Sequence, residues 1–270
     1  MHRRVRQLTA TSAAMTFVLV LLGVYTAADG AGLTCAGAWP LCDGAVFGLF
    51  PANWPSFVEW FHRLWAMITG LVIVGTAVLG FRMGVATEVR WALAGATLLL
   101  PSQVILGGLT VTRYESLILL GHFLTAMTIF TLVAFAALRA SETALAMGGR
   151  RAGLLTAAVA LFPVYLLFSP RVVLVYSEAV QVGFYSVGML IFGATLATAL
   201  TSSGRIRYAL VGAGTVLFAE LVVGRQTYGA DGERLMLLGA GLAFAMVVYA
   251  LTAERRDRSR SGGLPSAQGD

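Results

Sequence analysis

The chain has 270 residues, 58% of them hydrophobic and only 12% charged, with a mean hydropathy of +0.80. Soluble domains carry about 25% charged residues, so an ordinary water-soluble enzyme or binding module is excluded and a membrane-embedded chain is expected. The net charge of +6 comes from arginine alone, in short stretches between apolar runs. That pattern is a topology signal rather than a nucleic-acid stripe.

Eight apolar segments follow one another, at roughly 8–28, 58–80, 91–110, 117–138, 152–169, 174–199, 208–224 and 235–252. Most reach or approach the ~20 residues that cross the hydrocarbon as a helix. The fold class expected is therefore an all-α integral membrane protein with eight transmembrane helices. The first segment follows Arg3, Arg4 and Arg6. It is long and poor in small-residue cleavage signals, so it reads as a retained helix rather than a removed signal peptide.

Arginine counting sets the orientation. With the amino terminus inside, fourteen arginines fall on the inner side and five (Arg63, Arg113, Arg171, Arg225 and Arg234) at the outer side or outer helix ends. This bias places both termini in the cytoplasm and the loop at 29–57 outside. That loop carries Trp39, Trp54 and three prolines, together with Cys35 and Cys42. Its aromatic content suits a segment lying on the membrane surface as a cover. The cysteine pair is open to two readings, a structural disulfide or a redox pair, while zinc would need more ligands than these two.

The second segment contains "EWFHRLW", with Glu59, His62 and Arg63; the fourth contains "LLGHFLT", with His122. Apart from His2 these are the only histidines. Both lie near the outer ends of helices running from outside to inside, so they sit at similar depth. Two imidazoles facing each other across a helix bundle satisfy the axial positions of a haem iron, and a flat, mostly apolar haem suits a bundle in lipid. Arg63 and Arg113 are candidates to reach the propionates by extending to the interface. Glu59, three residues before His62, shares its helix face and is a candidate to move a proton or to hold the imidazole. The plain alternatives are two polar residues in a packing seam and an interfacial acid. Gly107 and Gly108 permit close approach of a backbone or a flat group, and Pro101 is a candidate kink.

A weak internal repeat sets Glu59 over Glu178, His62 over Gln181 and His122 over Ala240, at offsets of 119, 119 and 118. Both histidines thus have non-ligand counterparts. The second half keeps Glu178, Gln181, Glu220, Arg225 and Gln226, which would be costly buried singly; a Glu220–Arg225 network is one way to satisfy them. They read as the lining of a vestigial pocket, with a quinone or partner surface as the other option. The tail "ERRDRSRSGGLPSAQGD" is polar and reads as disordered.

Three stretches, "LGVYTAADGAGLTCAGAWPLCDG", "VEWFHRLWAMITG" and "QVILGGLTVTRYESLILLGH", together resemble the heme A synthase family over about residues 15–135, closest in flavour to its archaeal branch. The resemblance implies two pseudo-symmetric four-helix bundles, here 1–140 and 141–253, followed by a disordered tail at 254–270. It implies oxidation of the C8 methyl of heme O to a formyl group through successive hydroxylations and loss of water, yielding heme A for cytochrome oxidase. By the same resemblance His62 and His122 are the haem iron ligands, Glu59 is the essential acid, and Cys35 and Cys42 form a disulfide. Expected partners are heme O, heme A, lipid and an unnamed electron donor or acceptor, with heme O synthase, cytochrome oxidase and a second copy of the chain as further candidates. Family members with a second haem of b type hold it between two histidines of the carboxy-terminal bundle. Gln181 and Ala240 stand in those places here, so a single haem site is expected. A bis-histidine electron carrier and a haem-delivery or oxidase-assembly factor are the competing functions.

Overall fold

The computed structural model describes residues 3–35, 38–39, 42, 53–113, 115–141, 149–170, 173–175, 177–224, 226 and 229–262. Its elements are α1 (Arg3–Ala28), a 3-10 turn (Ala31–Leu33), α2 (Trp54–Arg82), α3 (Thr87–Thr112), α4 (Ser116–Ala140), α5 (Arg150–Phe168), α6 (Glu178–Thr201), α7 (Gly204–Val223) and α8 (Gly229–Gly262). All eight α-helices are long and apolar enough to cross a membrane. The protein is a multi-pass, all-α membrane protein, as the eight apolar segments predict.

Local sequence sets the helix ends. Asn53 opens α2 by accepting a hydrogen bond from the Ser56 N–H at 2.9 Å, with Pro55 in the first turn, where its missing N–H is not needed. Gly84, at φ 58°, makes the left-handed turn that reverses the chain into α3. The α3 helix runs through Pro101 without interruption.

Helices α1–α4 pack as a ring in which α1 touches α2, α2 touches α3, α3 touches α4, and α4 returns to α1. Helices α5–α8 repeat the same neighbour order, which is the pseudo-symmetry that the offsets anticipate. The halves meet where α1 and α4 lie against α6 and α7. Large side chains such as Leu71, Trp91, Leu98 and Leu238 point outward, as expected of surfaces facing acyl chains.

Two expectations need correction. The α8 helix continues to Gly262, so residues 254–262 are helical rather than disordered; residues 263–270 lie outside the described set. The reason is electrostatic: the Glu254 carboxylate, 4% exposed, accepts from both Arg258 and Arg151 at 3.1 Å, clamping the end of α8 to the start of α5. In addition, α6 begins at Glu178 rather than near 174, because Ser177 caps it by accepting from Val180 N–H.

Candidate functional site

The α2 helix carries the expected constellation on one face. Glu59 is 5% exposed, and its carboxylate accepts from Arg63 Nε at 2.7 Å, one turn on. Arg63 also donates through Nη1 to the Ala38 carbonyl at 3.1 Å, tying this helix to the outer loop. Further along, the Trp65 indole N–H donates to the Met15 carbonyl of α1 at 3.1 Å, and Ser12 and Thr76 share a hydrogen bond of 3.1 Å. These contacts fix the rotation of α2, and with it the direction of His62.

Both histidines are half-buried. Each lies against a glycine of a neighbouring helix. A Cβ placed on Gly23 of α1 would stand 3.1 Å from His62 Nε2, and one on Gly107 of α3 would stand 3.3 Å from His122 Cε1. Glycine is what leaves the two rings their room. His122 Nε2 lies 3.3 Å from Gln103 Nε2, while its Nδ1 has no hydrogen-bond partner among the described residues.

Packing around the pair is uneven along the bundle. At the end of the bundle that holds the start of α1, Val5, Ile73, Ala77, Val89, Leu93 and Val133 belong to one buried cluster. At the other end no described residue is buried between 60 and 68 of α2, between 97 and 110 of α3, or between 116 and 126 of α4. The amino-terminal bundle thus has no fully buried side chain in these three stretches, which carry its histidines. In the second bundle the corresponding stretch is solid: Phe184, Tyr185, Leu217, Leu221 and Met236 are all buried. A Cβ on Gly188 would come within 2.8 Å of the Tyr165 ring and 2.7 Å of Leu221.

The described residues of the loop joining α1 to α2 lie against these stretches of α2 and α3. Cys35 and Cys42 are joined by a disulfide and are both buried. Cys42 Sγ lies 3.9 Å from the Ser56 carbonyl, and Ser56 Oγ donates to the Thr34 carbonyl at 3.3 Å, so the cystine rests on the first turn of α2. Within its ring, Trp39 lies flat against Gly108: a Cβ there would meet the indole at 3.4 Å. The adjacent glycines Gly107 and Gly108 therefore receive an imidazole and an indole respectively. Most of the expected loop, including residues 43–52, lies outside the described residues.

A family model described as cytochrome oxidase assembly protein matches residues 6–169, well over half of the chain. The chain belongs to the cytochrome oxidase assembly protein family. It is similar to a protoheme IX farnesyltransferase of Haloarcula marismortui, 37% identical over 123 residues, which is 46% of this chain and 26% of that protein. A protoheme IX farnesyltransferase of Halobacterium salinarum is 40% identical over 101 residues, 37% of this chain and 21% of that protein. A heme A synthase of Bacillus licheniformis is 29% identical over 115 residues, 42% of this chain and 37% of that protein. The chain thus spans about a quarter of the length of these farnesyltransferases and just over a third of this heme A synthase. The heme A synthase among these relatives agrees with the family expected from the three motifs.

Other members of the expected constellation stand as follows. Arg113 caps α3 and is exposed, with no side-chain hydrogen bond or ion pair among the described residues. Gln181 and Ala240 are buried, whereas Glu178 is exposed, unlike its counterpart Glu59. Glu220 is buried and its carboxylate accepts from the Tyr165 hydroxyl at 2.9 Å; its expected partner Arg225 lies outside the described residues. Sequence reasoning missed Gln103 and Gly23. Gln103 was legible in principle, since Gln103 and Glu220 stand 117 residues apart, as do Gly107 and Gly224.

Proposed function

We propose that this chain is a heme A synthase: an oxidoreductase of the membrane that takes heme O and oxidises its C8 methyl to a formyl group, supplying heme A to a cytochrome oxidase. The observation that carries the reading is the contrast between the halves. Two histidines with glycines against their rings lie in stretches without a fully buried side chain, next to a disulfide-pinned loop, and the family match includes all of that region. Haem fits this donor set. The imidazoles are neutral-nitrogen ligands of the kind haem iron takes, His122 Nδ1 has no hydrogen-bond partner among the described residues, and Gly23 and Gly107 give the two rings room. The matched stretch is about a quarter of the farnesyltransferases' length, so prenyl transfer is not carried over.

His62 and His122 would hold the iron, and Arg63 or Arg113 would meet the propionates. When bound, the haem supplies both the methyl group to be oxidised and the redox chemistry of its iron. The chain's own part is binding, orientation and proton movement. Glu59 is fixed by Arg63 one turn from His62, so it accepts protons released as the methyl is oxidised. Arg63 sets the direction of that carboxylate and anchors the loop through Ala38. The loop excludes water from the outer face, and partial exposure along α2, α3 and α4 leaves a lateral route for a lipid-soluble substrate. The arginine distribution supports a topology with both termini on the cytoplasmic side and the Cys35–Cys42 loop outside. The test is haem analysis of membranes that make only heme O, with and without the chain. Heme A in the first alone supports the synthase. Bound haem with no conversion favours a carrier.

A further inference from the structure

Between α2 and α3, on the side of the turn that joins them, the bundle surface holds a groove of about 500 Å³. Ala77, Ala94 and Thr97 are its less exposed members, and Val78, Phe81 and Leu98 stand exposed along it. Thr97 brings no free donor, because its hydroxyl is turned onto the Leu93 carbonyl at 2.8 Å. Arg82, in the last turn of α2, lines the end nearest the turn. Beside it the Arg90 guanidinium of α3 lies over the Phe81 ring, 5.9 Å from its centroid, and the exposed Trp91 meets the same ring edge-on. Arg90 Nη2 donates to Thr87 Oγ1 at 3.1 Å, while its Nε is buried with no hydrogen-bond partner among the described residues. Glu88, the acid of this turn, is taken by Arg139 of α4 at 3.0 Å. Among the described residues neither Arg82 nor Arg90 has an ion pair.

We propose that this groove binds one anionic phospholipid, with an acyl chain laid between α2 and α3 and the headgroup phosphate held by Arg82 and Arg90. In a bilayer an apolar groove has no hydrophobic reason to prefer one apolar filler to another, so the polar end makes the choice. That end is cationic and uncompensated. Arg4 and Arg6, both exposed, stand at it as well, since Val5 packs in one cluster with Val85 and Val89. A guanidinium presents its N–H groups as a fork that matches phosphate oxygens, and an anion beside Arg90 satisfies a cation that has no carboxylate of its own. Trp91 is the kind of exposed aromatic that sits at headgroup level, which puts the phosphate and the end of the groove at one depth. A neutral lipid fills the groove but leaves the arginines unmatched. A free phosphate meets the arginines but leaves the groove unfilled. The phospholipid does both, and ties the end of α2 to the start of α3. The proposal stands independently of the haem reading.

The experiment is native mass spectrometry of the delipidated full chain in detergent, titrated with phosphatidylglycerol and, separately, with phosphatidylcholine of the same acyl chains. The wild type should hold one phosphatidylglycerol at least fivefold more tightly than phosphatidylcholine. Arg82→Gln and Arg90→Gln should each weaken phosphatidylglycerol about fivefold, from ~1 kcal/mol per arginine near a headgroup, and leave phosphatidylcholine unchanged. Arg207→Gln, exposed at the start of α7 in the other bundle, should change neither. Ala94→Leu, which fills the groove, should weaken both lipids; if it fails to fold, the arginine variants decide alone. Equal affinity for the two lipids in the wild type, an undiminished preference in Arg82→Gln and Arg90→Gln, or an equal loss in Arg207→Gln overturns the site. So does displacement of the bound phosphatidylglycerol by an equal concentration of inorganic phosphate or of farnesol, which would assign the place to a free anion or to a prenyl chain.

Discussion

At the residue scale, the two imidazoles depend on what is missing from their neighbours. Gly23 and Gly107 leave the rings room that any Cβ would narrow. Overpacking a filled site costs about 1–3 kcal/mol. Gly107→Val should therefore weaken haem binding by ~10-fold or more, at 1.4 kcal/mol per tenfold, and shift the absorption spectrum. A haem titration checks it; unchanged affinity and spectrum would remove Gly107 from the site. His62→Ala and His122→Ala should each abolish the low-spin, two-histidine spectrum, and normal haem spectra in both would end the ligand assignment. The histidines were legible in the sequence because ionisable residues are rare in lipid. Gly23 was not, because one glycine in an apolar helix looks like any other until its neighbour is known.

At the element scale, the loop joining α1 to α2 is pinned at three places: the cystine on the first turn of α2, Ala38 on Arg63, and Trp39 on Gly108. Closing so short a ring contributes ~2 kcal/mol in the chain-entropy account. Replacing both Cys35 and Cys42 by Ser should make the loop protease-sensitive and lower conversion severalfold, while the haem spectrum persists because both ligands stand on helices. Limited proteolysis and spectroscopy of the double variant check this, and loss of bound haem would contradict it. Helix existence followed from apolar run length, but helix ends did not. Asn53, Ser177 and the Glu254 ion pairs move the ends by side-chain hydrogen bonds that hydropathy does not register.

At the scale of the whole molecule, one architecture has been used twice with different fillings. The repeat was legible as paired offsets, and the ring of neighbours in each half has the order it implies. What the offsets could not give is that the second bundle is packed solid around Tyr165 and Glu220, because packing density depends on side chains from four helices at once. Quantitative haem extraction should accordingly return one haem per chain; two per chain would contradict the closed second bundle. The central claim, that the amino-terminal bundle converts the haem it holds, is tested most directly through Glu59. In membranes supplied with heme O, the wild-type chain should produce heme A, while Glu59→Gln should retain bound haem and produce none. Heme A formed equally by Glu59→Gln, or haem bound without conversion by the wild type, would contradict it.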